Sequence, residues 1–481
     1  MLFCSISFMV FFAVLLCIYW SLPWQRARVW LLVAASFYFY AAWNKWLAII
    51  LCISTSVDYL LALSIEKTQT TGRRKLMMCV SLFANLGLLC YFKYTNFFLL
   101  SLDELLISMG ASHWFRSLQV ILPIGISFYT FEAINYIVDV YSGRIRAERN
   151  FGDFVLFIMF FPHLVAGPIV RARDFLPQIK RPKRCDWVRM HLGLQYFLMG
   201  LFKKLAIADR MAQFADPVFD HALDYQTPVA WIAMFAYAMQ VYGDFSGYTD
   251  MAIGTAHMLG YKLAENFNMP FLAPNIAEFW KRWHMSLSSW LRDYIFIPLG
   301  GSRNGEWKTR RNLIITLTIC GLWHGAAWQF VGFGFLQGWL LIVHRAFRKW
   351  CKHKPKLDGP LRSPLGTISR VTFTFLCFCL SLIVFRSSSF GHAFEMYTRL
   401  FTAAPHALLP ASPDNLLPPM FGFWLTASIM LIGHLLGRSG IWIRPALRLP
   451  APMLGFSYAL LFGLALLLEP QGAKPFIYFQ F

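Results

Sequence analysis

Two histidines offer acid–base chemistry in places where a polar side chain needs a reason. His324 lies in Leu322-Trp-His-Gly325, inside the long apolar run 312–344. His284 lies in Trp283-His-Met-Ser286, within a stretch rich in Trp and Arg. A titratable group at membrane depth is a functional-site hypothesis by default. His324 follows Arg311 by 13 residues, about 20 Å if the path is helical. A neutral imidazole in dry, apolar surroundings can accept a proton, as a general base on a hydroxyl in acyl transfer must. Gly321 and Gly325 flank it, and small residues either open space for a ligand or let helices pack closely. The competing account is a histidine that hydrogen-bonds a neighbouring helix and does no chemistry.

Residues 279–294 read as one amphipathic helix at about 100° per residue. Phe279, Trp280, Trp283, Leu287, Trp290, Leu291 and Tyr294 share one face, and Lys281, Arg282, Ser288, Ser289, Arg292 and Asp293 share the other. Such a helix lies at a membrane interface. His284 falls on the border of the faces, either aimed into a cavity or snorkelling to water. A third constellation, Gln240-Val-Tyr-Gly-Asp244-Phe-Ser246-Gly-Tyr-Thr-Asp250, sits at the end of a span. Capping explains some of its Asp and Ser. Two carboxylates, two tyrosines and a serine exceed that need, so Gln240, Tyr242, Asp244 and Ser246 are expected to line a pocket or support a histidine. Trp280, Trp323 and Asn266 join them as expected lining residues. No His or Cys stands three or four residues from His284, and Cys320 alone stands so to His324. His-Glu-x-x-His and paired-cysteine patterns are absent, so no metal is expected. No P-loop, dinucleotide fingerprint or Gly-x-Ser-x-Gly elbow is present either.

The elements that must position these groups are membrane helices. The 481 residues are 57% hydrophobic and 14% charged, against about 25% charged in a soluble domain. The net charge of +20 comes from Lys and Arg in loops between apolar runs, which is the positive-inside pattern and not a nucleic-acid footprint. The ten cysteines mostly lie within apolar runs and form no disulfide framework. The N-terminal run reads as a retained first helix, not a cleaved signal. Apolar runs of membrane-crossing length fall at 2–21, 29–43, 46–65, 76–100, 119–141, 191–209, 229–246, 367–386, 419–437 and 453–468, with two short traversals, tilted or broken, in 312–344. The run 151–170 has basic residues at both ends and holds Pro162, His163, Gly167 and Pro168. It reads as re-entrant. Asp216, Asp220 and Asp224 mark an outer loop, and 101–118 and 387–418 mark others. These runs give an all-α polytopic protein of about ten spans plus re-entrant pieces, with 1–481 as a single integral-membrane domain.

Several motifs in order then resemble the membrane-bound O-acyltransferase (MBOAT) family, in its bacterial alginate O-acetyltransferase (AlgI-like) branch. They are Leu122-Pro-Ile-Gly-Ile-Ser-Phe-Tyr-Thr-Phe131, Phe161-Pro-His-Leu-Val-Ala-Gly-Pro168, Tyr242-Gly-Asp-Phe-Ser-Gly-Tyr-Thr-Asp250, Phe279-Trp-Lys-Arg-Trp-His284, Trp290-Leu-Arg-Asp-Tyr294, Leu322-Trp-His-Gly325 and the Phe-Ile-Tyr-Phe-Gln-Phe481 end. The resemblance spans nearly the whole chain. It implies a ring of helices around a central funnel, with the family's deep histidine matching His324 and its second polar site residue matching His284. It implies an acetyltransferase in the bacterial inner membrane that takes acetyl from cytoplasmic acetyl-CoA, with no metal. Lys281, Arg282, Arg292, Arg303 and Arg310 are the expected phosphate contacts, since cationic clusters suit phosphate. In systems of this kind acetyl groups pass to a periplasmic SGNH-hydrolase-like partner and on to a polysaccharide. The outer loops and the C-terminal tail are expected docking surfaces. Alginate, another exopolysaccharide and peptidoglycan all stay open as acceptors. D-alanyl transfer from a carrier protein is one alternative. A transporter or scaffold without chemistry is another, though no internal repeat supports it.

Overall fold

Lipid offers no partner to a backbone N–H or C=O, so an apolar run that enters a membrane must satisfy its own backbone as a helix. The computed structural model describes residues 1–402, 419–441, 449–469 and 476–477, and among these the regular structure is helical throughout. Among the described residues, five helices are long and apolar enough to cross a membrane: Lys45–Lys67, Thr71–Ser108, Trp328–Lys352, Pro364–Arg386 and Phe421–Ser439. Their outward faces carry exposed Leu60, Phe83, Trp339, Phe373 and Leu431, a surface suited to lipid rather than water.

The chain forms two compact units. The first holds residues 1–197 and 251–264. Its helices Ile6–Ser21, Gln25–Ala41, Lys45–Lys67 and Thr71–Leu89 sit on the expected runs. The last continues through a π-helical turn, Cys90–Tyr94, into Thr95–Ser108. Asp58 at mid-helix is buried, and Ser81 and Asn85 donate to its carboxylate at 2.5 and 2.9 Å. An intramembrane carboxylate satisfied in this way binds two helices together.

The expected span 119–141 is shorter: its helix is Ile126–Tyr141. Pro123 and Gly125 end it upstream, because Gly125 takes φ 76° and a Cβ there would overlap the Leu164 carbonyl. The run 151–170 is broken as its prolines suggest. It makes helices Phe151–Met159 and Phe161–Leu164 with a kink at Phe160, and all of it from Gly152 onward is buried. Thirteen helical residues reach about 20 Å, short of the ~30 Å hydrocarbon core. The break is held by side chains of the preceding helix. Glu132 accepts the Val170 N–H at 2.9 Å and lies 3.3 Å from His163, and Asn135 donates to the Val170 carbonyl at 3.0 Å.

The second unit holds residues 198–250 and 265–481. The expected run 191–209 becomes the helix Trp187–Phe202, a π-helical turn Lys203–Ala208, and a further helix Asp209–Asp220. Asp216 and Asp220 are therefore helical rather than in a loop, and Arg386 pairs with both at 3.3 and 3.1 Å. The helix Thr227–Met258 runs twelve residues past the expected end at 246. Gly243 and Gly247 let it approach the 200–204 segment: a Cβ at Gly247 would come within 2.7 Å of the Gly200 carbonyl. Part of the expected outer loop 387–418 is also a helix, Phe390–Phe401, with Ala393, Met396 and Leu400 buried. Residues 403–418 of that loop, and most of the C-terminal tail, lie outside the described residues.

Candidate active site

His324 is placed by a helical hairpin. The run 312–344 forms two helices, as expected, and both extend beyond it into the charged flanks, as Glu306–His324 and Trp328–Lys352. At the open end Arg345 pairs with Glu306 at 3.0 Å. Toward the closed end glycines set the spacing. A Cβ at Gly321 would overlap the Phe330 carbonyl, and one at Gly334 the Leu317 carbonyl. At Gly321 and Gly334 the small residues serve close helix packing. His324 is the last helical residue before the turn at 325–327. The helix is unbroken from Arg311, so the two lie about 20 Å apart along its axis.

His284 is placed by a break, and the single helix expected over 279–294 does not form. The chain makes helix Ile276–Trp280, a turn, helix Met285–Leu291 and then a π-helical turn Arg292–Phe296. His284 sits in the break with φ 44° and ψ 54°. A left-handed non-glycine residue is strained, and such strain persists only where the surroundings over-determine it. Asn266 does this. Its carbonyl accepts the Met285 N–H at 3.0 Å and its side-chain oxygen accepts the Ser286 N–H at 3.1 Å. The Asn268 N–H adds a bond to the Arg282 carbonyl at 3.0 Å. Asn266, expected as a lining residue, is thus the clamp on the histidine turn. The break turns His284 from the expected border position to full burial, 0% exposed.

The two imidazoles meet. Their ring centroids are 6.4 Å apart, and the Trp323 indole lies 5.8 Å from His284 and 5.0 Å from His324. Phe245 packs edge-on against His284 at 4.6 Å, and Phe385 against His324 at 5.5 Å. The Cys320 sulfur is 3.9 Å from His324 Nε2. Among the described residues neither ring nitrogen of His284 has a hydrogen-bond partner. A buried, unsatisfied polar group is costly, so its presence beside a second imidazole marks a candidate site.

The expected residues around this pair divide. Asp244 and Tyr242 lie in mid-helix and not at a helix end. Asp244 pairs with Lys204 at 2.8 Å and accepts the Ile477 N–H at 2.6 Å. Lys204 also meets Asp209 at 2.7 Å. Tyr242 joins an aromatic cluster with Phe271, Phe267 and His434 at 5.1, 5.6 and 4.9 Å. Gln240 and Ser246 are buried on the same helix. Trp280 donates to Gln337 at 3.3 Å, and Gln337 to Ser381 at 2.7 Å, tying the broken helix to the hairpin and to Pro364–Arg386. The basic residues lie outward. Lys281 and Arg292 are exposed and pair with Glu278 and Asp293 at 2.8 Å each. The Lys281 hydrogen bond holds the Glu278 carboxyl below its ordinary range. Arg282 is half-buried, and Arg303 and Arg310 are exposed. No group of three or more His, Cys, Asp or Glu able to hold a metal occurs among the described residues.

Sequence reasoning missed Lys204, although a lysine inside the apolar run 191–209 is itself a signal. It also missed Phe245 and Phe385, which carry none, since a phenylalanine in an apolar helix is unremarked. Lys204 lies buried between Asp209 and Asp244. Lys204→Met strands both carboxylates, and breaking a buried pair costs about 3–5 kcal/mol. Thermal unfolding in detergent should show a clear drop, with partial recovery when Asp244→Asn is added. An unchanged midpoint for Lys204→Met would remove this cluster from the account of the fold.

Two buried imidazoles side by side in an all-helical membrane protein make a candidate site for acid–base chemistry. The membrane-bound O-acyltransferase family, MBOAT, matches residues 144–387, and the chain belongs to this family. Among relatives, the "Probable alginate O-acetylase AlgI" of Azotobacter vinelandii is 36% identical over 514 aligned residues, covering 99% of each chain. The "Peptidoglycan O-acetyltransferase" of Helicobacter pylori is 39% identical, covering 77% of this chain and 72% of its own. The "Teichoic acid D-alanyltransferase" of Bacillus subtilis is 29% identical, covering 56% and 70%. The transporter or scaffold alternative gives way to an acyltransferase.

Proposed function

We propose that this acyltransferase takes acetyl from cytoplasmic acetyl-CoA and passes it across the bacterial inner membrane for O-acetylation of an alginate-type exopolysaccharide, through a periplasmic SGNH-hydrolase-like partner. The similarity to the Azotobacter protein over 99% of both chains favours acetyl and this acceptor class. The observation that carries the chemistry is the buried His284–His324 pair, 6.4 Å between rings.

In this reading His324 takes the proton of the incoming hydroxyl as its oxygen attacks the thioester carbonyl. The tetrahedral intermediate collapses, the C–S bond breaks, and the leaving thiolate receives the proton from His324. A neutral imidazole has one N–H to give, and His284 directs it at the carbonyl oxygen, where charge develops. Phe245, Trp323 and Phe385 exclude water that would hydrolyse the thioester. Lys281, Arg282, Arg292, Arg303 and Arg310 hold the donor's phosphates, with Lys281 and Arg292 exchanging their carboxylate partners for phosphate. The 29% identity to a D-alanyltransferase keeps a carrier-protein donor as the second reading.

The test is transfer of radiolabelled acetyl in inverted membrane vesicles, with acetyl-CoA supplied outside them and periplasmic partners enclosed. Label in polysaccharide or partner supports the proposal. Label only from an acyl carrier protein would replace the donor assignment, and no label from either would overturn the reading.

A further inference from the structure

We propose that Trp323 sets the length of the acyl group, so that the site accepts two carbons and rejects longer chains. The inference rests on the function proposed above. The centroids of His284, His324 and Trp323 form a triangle with sides of 5.0, 5.8 and 6.4 Å. An acyl carbonyl held between the imidazoles has three of its directions committed. The oxygen faces His284, the incoming hydroxyl oxygen comes from the His324 side, and the sulfur leads back along the donor. The alkyl end takes the side that remains, and we assign that wall to the indole, the one aromatic side chain here in ring contact with both imidazoles among the described residues.

The indole cannot easily yield. It is 3% exposed and directly precedes His324 on the last turn of the hairpin helix. That turn is fixed two residues earlier, where Gly321 packs against the Phe330 backbone. A wall carried by a rigid backbone measures length, whereas a wall on a mobile loop would adapt. Each methylene too many in such a pocket is worth about 10–200-fold in discrimination.

The experiment compares kcat/KM for acetyl-, propionyl- and butyryl-CoA in the vesicle assay. The wild type is expected to favour acetyl over butyryl by at least about tenfold for each added methylene. Trp323→Ala should collapse that ratio by about tenfold or more, and Trp323→Phe, which shortens the wall without emptying it, should fall between. The decisive readout is the ratio, which a general loss of activity does not move. If Trp323→Ala is too unstable to assay, Trp323→Phe decides alone. A ratio equal to wild type in the active variants overturns this inference and leaves the acyltransferase reading intact. Failure of the wild type to use acetyl-CoA overturns both.

Discussion

His324→Ala should lower acyl transfer by about 10²–10⁴-fold, the range for losing a general base, while the protein still folds and inserts. The side chain sits at the end of a helix, not in its middle, so alanine costs no backbone hydrogen bond. Alanine is also the strongest helix former, and the hairpin is held elsewhere, by Gly321 and Gly334 and by the Arg345–Glu306 pair. The loss should fall on kcat more than KM, because the proton is taken only as the bond to carbon forms. A base works unprotonated, so the wild-type rate should decline as pH falls, and that acid limb should vanish from any residual rate of the variant. The check is kcat/KM against pH, with protein amount and thermal unfolding matched to wild type. Full transfer by a normally folded His324→Ala would end the assignment.

Much of this site was legible because it violates its surroundings. His324 stands out as a polar residue in an apolar run, and Pro162, Gly167 and Pro168 announce a segment that cannot be a straight helix. What stayed illegible was imposed from a distance. Phe279, Trp283, Leu287, Trp290 and Leu291 keep helical spacing and are all buried, so the pattern identified the buried face. Yet the helix breaks in its middle. The cause is Asn266, nearly twenty residues upstream, whose hydrogen bonds to Met285 and Ser286 no local signal reveals. The polar groups from Gln240 to Asp250 suggest the end of a span for a similar reason, although the helix continues to Met258. Asp244 survives in mid-helix because Lys204, forty residues earlier, meets it there. Local patterns give face and burial, and long-range polar pairs decide where helices stop.

The second large effect is at His284, where backbone strain and chemistry can be separated. His284→Ala should lower transfer by about 10²–10³-fold, the loss typical of one oxyanion donor. Alanine removes the N–H but keeps a Cβ at φ 44°, so the strain of about 1–2 kcal/mol for a left-handed residue stays. His284→Gly removes both. It should be more stable than the alanine variant and equally impaired, because the missing part is a hydrogen-bond donor and not the turn. His284→Asn tolerates the left-handed conformation and brings an amide N–H, so it should recover part of the rate. If the turn alone mattered, glycine would restore activity, and that result would remove His284 from the chemistry. The double variant with His324→Ala gives a final check. Two groups acting on one transition state are not additive, so the double variant should be little worse than His324→Ala alone. Losses that multiply in full would mean the two histidines, 6.4 Å apart between rings, serve separate steps.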